Sequence, residues 1–421
     1  MFKHKRLYMY LGDTEVLLDD RINFRCRGIP IPVPLPVVLF GHCSEAPHMI
    51  AYAFTEGEGY GDAHTLPSLP LENSGDTLFL SPSGRTIIAG DYVAPYARVY
   101  DFDKRTGFST ELTPPTDFTN EVKGAAFHPD STAVVLYEQG GSPSCLRAYP
   151  LTEGVGLGTK YGDPASPPPT ILGIRNPLWH PSGNAVVAVD NASPFYHAYP
   201  FDIVTGFGTK FSDPGSLPAT TLYNTTYNSD MSVLLFTSNS TPYIHAWQFD
   251  PTTGFGTKYS NPGTLPSTLS TRCAFSPTDG AVLISRTTSP YVTSYVFDYV
   301  TGFGAKHADL SPALAGSIRA VAFHPSGNAV AVAHNTSPYI SGFPWDDATG
   351  FGTKYTDPTT VIPGNVDLLR FTPSGDTLFV THSNSPYVTA YPFSVVDGFG
   401  AAYTPPSALP TTYVQALHYI P

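Results

Sequence analysis

Short apolar runs alternate along the chain with turns built from Gly, Pro, Asn and Asp. The stretch from Ser317 shows the unit. IRAVAFHP is followed by the turn SGN, then AVAVAH, the loop NTSP, YISGFPW, the turn DDATG and the more polar FGTKYTDP. The runs are of strand length, rich in β-branched and aromatic residues, and show no 3.6-residue period. The pattern therefore predicts four strands joined by tight turns. In HPSGN and its relatives, Pro presets φ and Gly supplies positive φ, which suits a hairpin. In the Asp-x-x-Thr-Gly turns at Asp202, Asp250 and Asp298, the carboxylate can accept backbone N–H groups.

The unit recurs. Aligned on the proline of its Ser-Pro-Tyr phrase, copies fall at Pro47, Pro95, Pro143, Pro194, Pro242, Pro290, Pro338 and Pro386, with steps of 48, 48, 51, 48, 48, 48 and 48 residues. A period of roughly 40–50 residues with four strands per copy indicates a propeller blade. Helical repeats are excluded by the density of Pro and Gly. Phe127, Trp179, Phe275, Phe323 and Phe371 recur at one position and are expected to fill the layer between blades.

The chain ends predict how the ring closes. Pro421 falls 48 residues after Pro373, so the terminal YVQALHYIP matches a first strand with nothing after it. Pro47 lies 13 residues after Pro34, as Pro386 lies 13 after Pro373, so the first copy starts without its own first strand. The reading is all-β: an eight-bladed β-propeller over residues 34–421, closed by the C-terminal strand completing the N-terminal blade. Seven blades with a detached hairpin is the alternative. Residues 1–33 remain outside the ring as an N-terminal extended arm, with GIPIPVPLP too Pro-rich for a central strand.

The phrases AFHPSGNAVAVAHNTSPYISGFPWD and AFSPTDGAVLISRTTSPYVTSYVFD resemble WD40-like propeller repeats. They are closest to the variety met in tailed-bacteriophage proteins and some bacterial surface proteins. The Trp-Asp pair of eukaryotic blades survives only at Trp345-Asp346, with Phe-Asp at Phe201-Asp202, Phe249-Asp250 and Phe297-Asp298. The resemblance implies a non-enzymatic structural or adhesion protein of a bacteriophage virion, in the tail or as a head decoration. Its partners would be other virion proteins, through residues 1–33, and a host surface glycan. It would be made in the host cytoplasm. An intracellular bacterial interaction scaffold, cytoplasmic, is one alternative. A propeller enzyme, a lactonase or glycan lyase, is the other, with Arg286 and Arg319 as candidates for its channel.

Composition trims these classes. Charged residues make up 13% and the formal net charge is −12, with no basic stripe outside the KHKR near the start, so nucleic acid is not an expected partner. No apolar run approaches the ~20 residues of a membrane span, and no signal peptide is read at the N-terminus. Cys26, Cys43, Cys145 and Cys273 lack ligand spacing and read as scattered thiols, with a Cys26–Cys43 bond as an unsupported option.

Candidate chemistry is sparse. His128, His180 and His324 share one turn position with Ser81, Ser276 and Thr372. Equivalent positions in separate blades are too far apart for one metal, so no metal is expected. Lys160, Lys210, Lys258, Lys306 and Lys354 recur in the fourth strand. They are candidates for binding an anionic surface, or else edge lysines that discourage strand pairing. Tyr243, Tyr291, Tyr339 and Tyr387 open the third strand and could stack on sugars or pack against the next blade. No hydrolase, metalloprotease, P-loop or EF-hand motif is present, so no catalytic residue, no cofactor and no enzyme activity are expected.

Overall fold

The computed structural model describes residues 8–11, 14–17 and, from 36 onward, all but 43–45, 47, 68–70, 72–76, 141–143, 169–174, 190–192, 217–221, 269–271, 315 and 411. The chain divides into two compact units, Met1–Pro34 and Leu35–Pro421. In the first, Tyr8–Leu11 and Thr14–Leu17 form an antiparallel hairpin. The proline-rich stretch expected as an arm lies almost wholly outside the described residues, as do Cys26 and Cys43.

The second unit is an eight-bladed β-propeller, each blade a four-stranded antiparallel sheet. The first blade is composite. Val414–Ile420 pairs with Val37–His42 in a register running from Val37 opposite Ile420 to His42 opposite Val414. The ring is therefore closed by strand exchange between the two ends of the unit. From the first blade on, the innermost strands are Val414–Ile420, Leu78–Leu80, Val122–Phe127, Arg175–Trp179, Leu222–Tyr227, Cys273–Phe275, Ile318–Phe323 and Val366–Phe371. Among the described residues there is no helix.

Second strands carry near-continuous apolar runs because both faces of a blade pack on neighbours. Ala329, Val330, Ala331, Val332 and Ala333 are all fully buried. Alternate residues join alternate clusters. Ala329 and Ala331 pack toward the eighth blade with Leu378 and Val380, while Val330 and Val332 pack toward the sixth with Ala281 and Leu283. The first and eighth blades meet the same way, with Phe54 edge-on to Phe379 at 4.7 Å between ring centroids.

Outer strands are either cut to 2 residues or run for 5 or 6, and one residue decides which. Where the third strand carries Pro150, Pro200, Pro344 or Pro392, the fourth strand has 2 residues. Where Ala53, Gln248 or Val296 stands there, it has 5, and opposite Asp101 it has 6. The Pro carbonyl still accepts a bond, as from Gly208 N to Pro200 O at 2.8 Å. The N–H that would return a bond toward the fourth strand is missing, and the ladder stops. The expected full-length fourth strand in the Ser317 unit is thus only Gly350–Phe351.

A second ring of contacts couples the blades. A side chain just beyond each outer strand lies over the glycine of the next blade's outer hairpin. The pairs include Tyr161 on Gly206, Phe211 on Gly254, Tyr259 on Gly302, His307 on Gly350, Tyr355 on Gly398 and, across the closure, Tyr403 on Gly59. The tyrosine hydroxyls then reach that hairpin's carbonyls, Tyr161 to Ile203 O at 2.6 Å and Tyr355 to Val395 O at 2.5 Å. The glycine serves twice, for positive φ and for the room it leaves.

Candidate functional site

The innermost strands surround the channel, and their side chains differ from blade to blade. Long polar side chains reach across to the next inner strand's backbone. Arg272 Nε donates to Arg319 O at 2.9 Å, and Arg319 Nε to Val366 O at 3.0 Å. Arg370 donates to Leu417 O at 2.9 Å, His418 bonds Leu78 O through Nε2 at 2.9 Å, and Thr77 donates to Val122 O at 2.9 Å. Five successive blade junctions, from the sixth blade to the third, are bridged in this way. Three guanidinium groups therefore stand side by side on one wall. Asp367, which accepts from Arg319 at 3.1 Å, is the carboxylate paired with them. On a protein of net charge −12 this is a local positive wall, and a low-dielectric channel focuses its field.

His418 occupies the middle of this wall. It borders a pocket of about 240 Å³ lined with Thr77, Phe79, Leu368, Gln415 and Leu417. Burial, helped by the positive charge of Arg370 and opposed by the bond to Leu78, pushes its pKa down to about 4. The ring is therefore neutral above that pH. Because a carbonyl only accepts, the neutral tautomer carries its proton on Nε2, which donates to Leu78 O, and Nδ1 keeps a lone pair.

The loop before each Ser-Pro-Tyr phrase hides a second polar ring. The residue at the end of the second strand pairs with a residue in the third strand, seven further on in four blades and nine further on in the third blade, whose loop is two residues longer. Asp91 holds Arg98 at 3.1 Å and Glu138 holds Arg147 at 2.6 Å. Ser238 meets His245 at 3.3 Å, His334 meets Ser341 at 3.1 Å and His382 meets Thr389 at 2.9 Å. All ten side chains are buried. The acidic pairs also tie down the loops between blades. Glu138 Oε1 accepts from Thr119 Oγ1 at 2.9 Å and from the Asn120 N–H at 2.7 Å. Burial holds His245 and His382 neutral, pushing each pKa down to about 4. These pairs are structural latches, and their spacing in SNSTPYIH, HNTSPYIS and HSNSPYVT is readable in the sequence once the hairpin is known.

The residues singled out from sequence are distributed around the ring. Lys160, Lys210, Lys306 and Lys354 each pair with an aspartate three residues on, Asp163, Asp213, Asp309 and Asp357, at 2.5 to 2.8 Å. Lys258 instead sits over the Trp247 ring, 5.5 Å from its centroid. Tyr243, Tyr291, Tyr339 and Tyr387 have positive φ of 67 to 70° at the tight loop. Tyr291, Tyr339 and Tyr387 pack against the cores between blades. His180 and His324 bond Ser182 and Ser326 within their own turns, at 2.8 and 2.7 Å. His128 and His324 stack edge-on against Trp179 and Phe371 of the next blade. Among the described residues no cluster of His, Cys, Asp and Glu could hold a metal. Cys145 is buried with its thiol toward Pro168 O at 3.8 Å, and burial raises the Cys273 pKa. Of the two arginines named for a channel, Arg319 lines it and Arg286 is buried in the latch ring.

Two larger grooves carry less chemistry. One of about 430 Å³ is bordered by His180, Asp230 and Asp250. Its carboxylates are already committed, Asp250 to the N–H groups of Thr252 and Thr253 and Asp230 to Asn228 and Ser232. The other, of about 420 Å³, lies against Asp117, Tyr149 and Lys160, where Asp117 is held by the Tyr149 hydroxyl.

No protein-family profile and no curated protein matches the sequence. Solved structures do match in shape. A protein of Bacteroides uniformis provisionally named 6-phosphogluconolactonase superposes with a TM-score of 0.54 at 15% identity, covering 92% of this chain and 100% of its own. The periplasmic gluconolactonase of Pseudomonas aeruginosa gives 0.52 at 14%, covering 92% and 99%. A eukaryotic initiation factor gives 0.55 at 11%, covering 91% and 98%. Identities this low establish the shared fold alone.

These neighbours correct the functional expectation drawn from sequence. Three of the shape neighbours bear lactonase names. The reading as a non-enzymatic bacteriophage structural or adhesion protein is set aside, and with it the expectation that the chain is not an enzyme. The repeat is regular in its hairpins and cores, while the channel wall, where chemistry would sit, differs in every blade.

Proposed function

We propose that this protein is a lactonase-type propeller hydrolase acting on a small anionic lactone in the channel pocket beside His418. The observation that carries the reading is the neutral His418 imidazole, anchored through Nε2 to Leu78 O with Nδ1 left over, on the wall shared with Arg370. The names of the neighbouring propellers, lactonases of phosphorylated and free gluconate, supply the substrate class.

The chemistry closes on residues of this chain. Water attacks the lactone carbonyl and gives its proton to His418 Nδ1. The ring C–O bond breaks as the tetrahedral oxyanion collapses, and the departing alkoxide takes the proton back. The products are a hydroxy acid and regenerated neutral imidazole. Arg272 and Arg319 hold the substrate's anionic group by charge-assisted hydrogen bonds, and Arg370 stabilises the oxyanion.

The test follows acid release from δ-gluconolactone and its 6-phosphate with a pH indicator, against the spontaneous rate in the same buffer. Hydrolysis well above background, lost in His418→Gln, is expected. A rate equal to background for both lactones, with the purified chain folded, would reject the reading.

A further inference from the structure

Arg286 breaks the rule of the latch ring. In the second and third blades a carboxylate stands at the end of the second strand, and an arginine of the third strand, seven residues on from Asp91 and nine on from Glu138, lies against it. In the sixth blade the arginine itself ends the second strand, and Thr293 stands seven residues later. No carboxylate accompanies the pair. Arg286 is 7% exposed, and among the described residues its side chain makes one hydrogen bond, from Nη1 to Ser267 Oγ at 2.9 Å. Nε and Nη2 are sealed from solvent without a partner, and so is the Thr293 hydroxyl. Asp309, in the same blade's outgoing loop, is engaged by Lys306 at 2.6 Å.

A buried guanidinium without a counter-charge is costly, because burial penalises the charged form and arginine does not escape by losing its proton. The unsatisfied guanidinium atoms are donors only. A water placed there could give its hydrogens to hydroxyl oxygens such as that of Thr293 but would leave the guanidinium charge uncompensated, whereas an anion accepts from the guanidinium and the hydroxyl and balances the charge. We infer that the sixth blade binds a chloride-sized monovalent anion between Arg286 and Thr293, replacing the carboxylate that the second and third blades supply from the chain. The enclosure of these atoms selects a single-atom ion over a carboxylate or phosphate ester. The site is separate from the proposed hydrolase site and stands or falls without it.

Two measurements on the full chain test the inference. Thermal unfolding is followed in sodium gluconate and in sodium chloride at equal ionic strength. A saturable rise in Tm with chloride is expected, since a ligand bound only to the folded state stabilises it. Arg286→Met should abolish the chloride dependence. Crystals soaked in bromide should show an anomalous peak at the Arg286 guanidinium. Identical melting of the natural chain in both salts, together with no bromide at Arg286, overturns the inference. So does an Arg286→Met chain that keeps the full chloride response. If that variant fails to fold, the salt comparison and the bromide map on the natural chain still decide.

Discussion

Tyr355 of the seventh blade lies so close to Gly398 of the eighth that a Cβ on the glycine would fall 2.6 Å from the Cβ and Cγ of the tyrosine. The same glycine has φ of 81°. Gly57 in the first blade has φ of 86° and nothing within 4 Å of its would-be Cβ. The two glycines separate backbone strain from blade contact. Gly57→Ala should cost about 1 kcal/mol, the left-handed penalty alone. Gly398→Ala should cost about 3 kcal/mol, because the blade junction must also give way. Urea unfolding of the two variants measures the difference, and equal losses would refute the role of the junction.

The proline rule makes a prediction about single amides. Pro200→Val should restore the missing donor and extend the outer strand of the fourth blade from Phe207 toward Lys210. Hydrogen exchange at the Thr209 and Lys210 amides should then slow toward that of their counterparts Thr257 and Lys258, whose blade carries Gln248. Unchanged exchange would mean that something other than Pro200 limits the strand.

Closure depends on the last strand. Deleting residues 411–421 removes the buried Val414, Leu417 and Ile420, each worth on the order of 2 kcal/mol, and bares the edge of Val37–His42. A fall in Tm of about 10 °C or more is expected for a chain of this size. An unchanged Tm would show that the ring does not rely on strand exchange.

Acid should destabilise the protein in two windows. His245, His382 and His418 are each pushed down to about 4 by burial, so the unfolded chain binds more protons than the folded one between that pH and about 6.5. Stability is thus complete above about pH 6.5 and falls as pH drops toward 4. The turn aspartates Asp202, Asp250, Asp298 and Asp346 are held below the usual carboxylate range by backbone and threonine donors. Their contribution is lost only below the ordinary aspartate pKa of about 3.9. Urea midpoints from pH 7 to 3 should show both declines, and a flat profile from 6.5 to 4 would contradict the buried neutral histidines.

The positive wall should act on binding. Arg319→Gln is expected to raise KM for the phosphorylated lactone about tenfold, the worth of one charge-assisted bond, while kcat changes little. The unphosphorylated lactone should be affected far less. Equal effects on both would place the anion elsewhere.

The sequence by itself determined the ring. Period, turn chemistry and the 48-residue offset of Pro421 from Pro373 are local and covalent facts, and eight blades with an exchanged strand follow from them. It also contained the outer-strand lengths, in Pro150, Pro200, Pro344 and Pro392, although the link between proline and strand is visible only once the register is known. Function was not legible in the same way. Arg272, Arg319, Arg370 and His418 lie 47 to 51 residues apart; only Arg370 and His418 share an offset, the fifth residue of their inner strands, and there the residue type differs, so no motif joins the four. They become one wall only when the blades converge, because each side chain then finds the next inner strand's carbonyl. The lysine arc is legible because it repeats. What the tertiary structure decided is which side chains meet: four of the lysines find an aspartate three residues on, and the inner-strand arginines and His418 form one wall because the inner strands converge there.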